Sequence, residues 1–163
     1  MRSHNGQALA RTAAWDPSWH GPPAPFSHAL RVGEMCFTSG VTAQSHGFIE
    51  APEDLTGQSH IVLRRLDALL RQLGADINDT VKTNLFNVEP GNTQDWAAPA
   101  LARGSYYTEP GPAATGLSLK AMRPEGVMMI NDVIAMRATN GERLPRSHVW
   151  PDNHWDWTVH LPY

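Results

Sequence analysis

The chain has 163 residues, a formal net charge of -3 and a sequence pI near 6.2, enough for one domain with a real core. An acidic balance without a run of Lys or Arg excludes a phosphate-tracking nucleic-acid partner, and no stretch approaches the roughly 18 apolar residues of a membrane span. A single cysteine, Cys36, excludes an intrachain disulfide and suits a reducing compartment. With no apolar leader at the start, the expectation is a cytoplasmic protein that binds neither nucleic acid nor membrane.

Residues 1–24 show neither helical nor strand period and read as an extended arm pinned by Trp15 and Trp19. Two β-rich runs, 26–30 and 35–39, flank a turn centred on Val32, Gly33 and Glu34, a first hairpin. Gly40 closes the second run and a polar loop continues to Thr56. Over 58–73 the period changes: Val62, Leu66, Leu69, Leu70 and Leu73 form one helical stripe, and Gly74 can close the last turn in the left-handed conformation. Residues 79–88 alternate as a strand, with Lys82, Asn84 and Phe86 on one face. Thr93 or Asp95 can cap a second helix, with Pro99 in its first turn, predicted to run through Tyr106 to about Glu109.

Two further strands, 115–121 and 127–136, flank Pro124-Glu125-Gly126 and read as a second hairpin. The order is ββαβαββ, an α+β mixed sheet with two helices on one face. The last strand is apolar on both faces, with Asn131 on one and Asp132 on the other. Two helices cover one face only, so the other calls for a partner, an oligomer. A carboxylate among Ile and Met has to be paired, hydrogen-bonded or set at a cleft. Asp132 is therefore a structural acid or an acid/base group at the lip of a pocket.

After Thr139 the chain leaves this core. His154, Asp156, Thr158 and His160 alternate with Trp155, Trp157, Val159 and Leu161, a strand period. Three readings stand for this polar row: a solvated interface strand, a pocket lid carrying a general base, or a zinc set of His148, Asp152, His154 and His160. The last has no recognised ligand spacing. Cys36, in an apolar strand with no base nearby in sequence, reads as an inert core thiol.

The stretch PFSHALRVGEMCFTSG, the run LGADINDTVKTNLF and residues 111–136 together resemble the RidA/YjgF family over the middle two-thirds of the chain. The resemblance implies a chorismate-mutase-like fold with a trimeric barrel core and small-molecule pockets between subunits. It divides the chain into an arm (1–24), a RidA-like domain (25–138) and an extension (139–163). Deaminases of the family hydrolyse enamines and imines without metal or cofactor. Their carboxylate-gripping Arg falls here on Ala114, their second-helix Asn near Ala100, and the small or thiol residue on Gly116. Their E-x-E pair falls on Ile130 and Asp132, and their aromatic near the first strand on Phe26, which lacks the phenol. The water-placing Glu of that pair falls on Ile130, with Asp132 its same-face neighbour. The expected site has Asp132 as acid/base, with His154 or His160 assisting if the tail reaches it, and Phe26, Ser39, Gly40, Tyr107, Ala114, Thr115, Gly116 and Ile130 lining the substrate. An Ala cannot imitate an Arg–carboxylate fork, so a bulkier or uncharged imine, enamine or carbonyl-derived compound is expected. A trimeric binding protein without chemistry is the alternative. RNA cleavage, credited to some members, is disfavoured by the charge and the lack of a basic stacking surface.

Overall fold

The computed structural model describes residues 10–16, 25–88 and 97–145. A six-stranded mixed sheet runs in the order β1-β2-β3-β8-β6-β7, from β1 (Arg11–Ala14), β2 (Ala29–Val32), β3 (Met35–Thr38), β6 (Thr80–Val88), β7 (Ala113–Leu119) and β8 (Met129–Met136). A small hairpin, β4 (Gln44–Ser45) and β5 (Phe48–Ile49), lies outside it. Helix α1 (Leu55–Gln72) packs on β8, β3 and β1, and α2 (Ala97–Gly104) packs beside it. The α+β architecture expected from the sequence is present. No helix of the described residues is long and apolar enough to cross a membrane.

Helix α1 starts where the Asp54 side chain accepts the Gly57 N–H (2.9 Å) and ends ahead of Gly74, whose φ of 77° is the left-handed value that spares a glycine strain. Its stripe of Leu55, Val62, Leu63, Leu66, Leu69 and Leu70 is buried against Cys36, Met129, Val133 and Ala135 of the sheet. Each buried Leu contributes about 2 kcal/mol of transfer free energy. Cys36 is buried, and that burial pushes its thiol up; Asp79 adds to the rise and Arg31 opposes it.

Three expectations are corrected. The last two strands do not form a hairpin: β7 pairs in parallel with β6, and β8 lies antiparallel between β3 and β6. Pro124 and Gly126 make the turn between them, but β6 occupies the place where the partner strand was expected. The arm is not free of strand structure, because residues 11–14 pair antiparallel with β2 and form one edge of the sheet. Helix α2 stops at Gly104, short of Glu109, and gives way to single turns through Ser105, Tyr106 and Tyr107. At the opposite edge β7 is exposed along its whole length.

Gln58 fixes the approach to β8. Its Nε2 donates to the Gly126 (2.7 Å) and Ala51 (3.1 Å) carbonyls, and its Oε1 accepts the Met128 N–H (2.8 Å). The side chain is fully buried, so these three bonds have no replacement from water. Gln58→Ala is expected to lower the unfolding free energy by about 3 kcal/mol, read as a lower urea midpoint at unchanged slope. A loss under about 1 kcal/mol would show that the clamp carries little.

Candidate functional site

Alternation along β8 decides what faces where. Met129, Asn131, Val133 and Ala135 are buried under α1, while Ile130, Asp132, Ile134 and Met136 are half-buried on the face that no helix of the described residues covers. In register on that face are Lys82, Asn84 and Phe86 of β6, Thr115 and Leu117 of β7, and Phe37 of β3. The surface is thus apolar with one polar row crossing it. Asn84 Nδ2 donates to Asp132 Oδ1 (2.9 Å), and Lys82 Nζ donates to the Thr115 hydroxyl (2.5 Å). Among the described residues, none donates a hydrogen bond to Asp132 Oδ2. The group is not sealed in the core, and no base among the described residues pairs with it. One oxygen is held in place by a neutral amide and the other is open to a ligand or water.

A cavity of about 160 Å³ lies at the β3 end of the sheet, lined by Phe26, Ser39, Gly40, His28, Asp16 and Arg65 among others. Ser39 spends its hydroxyl proton on the Ser27 carbonyl (2.8 Å), leaving its lone pairs. His28 Nδ1 accepts the Asp16 N–H (2.8 Å), which fixes that ring nitrogen as unprotonated. Arg65 is bound to the Thr42 and Gln44 carbonyls and to Glu50. Gly40 connects this cavity to the open face: a Cβ there would stand 2.7 Å from Ile130 Cγ2, a distance only glycine permits. Phe26, Ser39 and Gly40 thus line the cavity, and Gly40 abuts Ile130, the same-face neighbour of Asp132.

The remaining candidates lie elsewhere. Ala114 and Gly116 are in register with Thr83 and Leu85 and face away from Asp132 and Thr115. Tyr107 is on that same side, packed against the core, with its hydroxyl buried beside Thr83 and Asn131. Burial pushes the phenol up, while Thr83, Arg103 and Asn131 beside it act in the opposite direction. One chain does not bring these residues together with Asp132. His154 and His160, and the zinc set with His148 and Asp152, lie outside the described residues.

Sequence reasoning placed Lys82 and Asn84 on one strand face but gave them no role. Their importance comes from register with Asp132 and Thr115, which local pattern does not disclose. Arg103, also not singled out, lies in the last turn of α2, half-buried, with Nη1 bound by none of the described residues.

The profile of the family described as Endoribonuclease L-PSP matches residues 20–136. A RutC family protein of Sinorhizobium fredii is 28% identical over 119 residues, covering 71% of this chain and 90% of that protein. A RutC family protein of Pyrococcus abyssi is 24% identical over 119 residues, covering 71% of this chain and 89% of the other. The crystal structure of TdcF from E. coli with bound serine superposes with a TM-score of 0.65 at 21% identity, covering 78% of this chain and 99% of that one. A YjgF/YER057c/UK114 family member from Mycobacterium tuberculosis superposes with a TM-score of 0.64 at 20% identity, covering 78% of this chain and 99% of that one. At those identities the structures share the fold.

Burial raises both the Cys36 thiol and the Tyr107 phenol. Their contribution to stability is complete below the unfolded values, about 8.5 and 10, and is lost as pH rises through the higher folded ones. Urea midpoints are expected to fall from about pH 9 upward. The fall should be shallower in Tyr107→Phe and in Cys36→Ala; unchanged slopes in both variants would refute the assignment.

Proposed function

Since this chain belongs to the endoribonuclease L-PSP (RidA/YjgF) family, we propose that it is a cofactor-independent hydrolase or lyase acting on an imine, enamine or related carbonyl-derived small molecule. Asp132 is the acid/base group, and the pocket is completed between copies of the chain in a homotrimer. The observation that carries this reading is Asp132 itself, anchored through Oδ1 to Asn84, with Oδ2 bound by none of the described residues, on a sheet face of Phe37, Phe86, Ile130 and Ile134.

In the hydrolytic step, Oδ2 accepts a proton from water as the water oxygen bonds to the imine carbon. The C=N π electrons move to nitrogen, which takes up a proton. The resulting carbinolamine then collapses: the carboxylic acid protonates the amine, the C–N bond breaks, ammonia leaves, and the hydroxyl proton is lost as the carbonyl forms. Thr115, Ile130, Gly40, Ser39 and Phe26 would border the ligand. His154 and His160 enter as assisting groups from the sequence alone.

A second reading, a small-molecule-binding protein without turnover, is favoured by Ala114, which offers a ligand no charged contact. One experiment separates the two. Wild-type protein is expected to release ammonia and a carbonyl product from a panel of imines, and Asp132→Asn to lose at least about 100-fold of that rate while keeping its oligomeric state. Retained activity in Asp132→Asn would sink the acid/base role. Ligand binding with no product from any imine would establish the binding protein.

A further inference from the structure

Strand β7 is the longer of the two edges of the sheet, with seven residues against four in β1. Strand β6 takes up one side of its backbone, and the N–H and C=O groups of the other side meet no strand among the described residues. All seven side chains are exposed, and Ala113-Ala114-Thr115-Gly116-Leu117-Ser118-Leu119 offers neither a charge nor a proline to keep another strand away. A neutral edge of this length is normally covered in a folded protein. Leu117 and Leu119, 52% and 38% exposed, add apolar surface that a strand laid alongside would shelter.

The chain itself supplies a strand-like sequence at this place. After β8 it turns back, with the Gly141 N–H donating to the Ala138 carbonyl (2.9 Å) and Arg143 ion-paired to Asp76 and Asp79. Leu144 and Pro145 thereby line a cavity of about 290 Å³ whose other walls include Val81, Pro110 and Gly111. Gly111 stands just ahead of Ala113, so the last described residues lie beside the start of β7. Further along, residues 154–160 alternate apolar and polar side chains and include Trp155, Trp157, Thr158 and Val159, types that favour strands. The link between, residues 146–153, spans up to roughly 30 Å, and β7 is about 20 Å long, so the link reaches either end of it. Attachment favours this segment over a separate peptide, since a tether of such a length keeps it at an effective concentration on the order of millimolar.

We propose that residues 154–160 add a further strand to the six-stranded sheet, along the open edge of β7 in the same chain. The pairing is made by backbone groups and stands independently of the role of Asp132.

Hydrogen exchange of the full chain tests the pairing. Successive amides of a strand point to opposite sides, so about half of those in β7 face away from β6. These outward amides are expected to exchange slowly in the native chain. In Thr158→Pro, which takes a donor from the middle of the added strand, they should exchange at least about 10-fold faster. Amides of β6 and β8 should keep their native rates, the sign that the variant is folded. Fast exchange of the outward β7 amides in the native chain overturns the proposal. Slow exchange that survives Thr158→Pro overturns it too, since a second copy or another segment then covers the edge. Assignment to the same chain is read from cysteine pairs in a Cys36→Ala background. Gly116→Cys, at a position where an added Cβ meets nothing within 4 Å, is held fixed while residues 154–160 are replaced by cysteine one at a time. Oxidation should join at least one pair within a single chain; links between chains only, or none at any position, overturn the assignment.

Discussion

Strand β8 has a helix on one side and no cover from the described residues on the other, and the rest of the molecule is arranged around that asymmetry. Side chains of a strand alternate, so the consecutive pair Asn131 and Asp132 must part company. Asn131 goes inward, where the Thr83 hydroxyl donates to it, and Asp132 goes outward to Asn84. A slip of one residue would bury the carboxylate under α1 and turn Met129 and Val133 out. Gln58 opposes that slip from the helix side, because it holds backbone groups of Gly126 and Met128 just before the strand begins.

Much of this was legible in the sequence. The stripe from Val62 to Leu73, the left-handed Gly74 and the two apolar faces of the last strand are local patterns, and the structure has each of them. Strand order is not local. Pro124 and Gly126 mark a turn equally well whether the strands on either side pair with each other or with a third, so β6 between β7 and β8 could not be read from them. The four residues of β1 are too few for alternation to stand out, and they pair only because β2 offers its edge. Arg103 drew no attention because an Arg on a short helix ordinarily points to water; its burial depends on how α2 is laid on the sheet.

The candidate site was legible in part. Asp132 stood out because an acid among Ile and Met is costly, an argument that needs no knowledge of the fold. Its neighbours did not stand out, because Asn84 and Lys82 lie far from it in sequence and reach it only through register. Grouping Ala114, Thr115 and Gly116 by adjacency in sequence was also misleading in physical terms. Adjacent strand residues point to opposite faces, so Thr115 belongs with Asp132 and the other two with Tyr107.

Strand β7 leaves seven residues of backbone on the rim of the sheet, exposed throughout and joined, among the described residues, to the rest on one side alone. Such a margin is a template on which any extended peptide can be laid down, and Thr115 and Ser118 do little to repel one. Among the described residues nothing shields that line, so the chain's tendency to aggregate is set by whatever comes to lie along it.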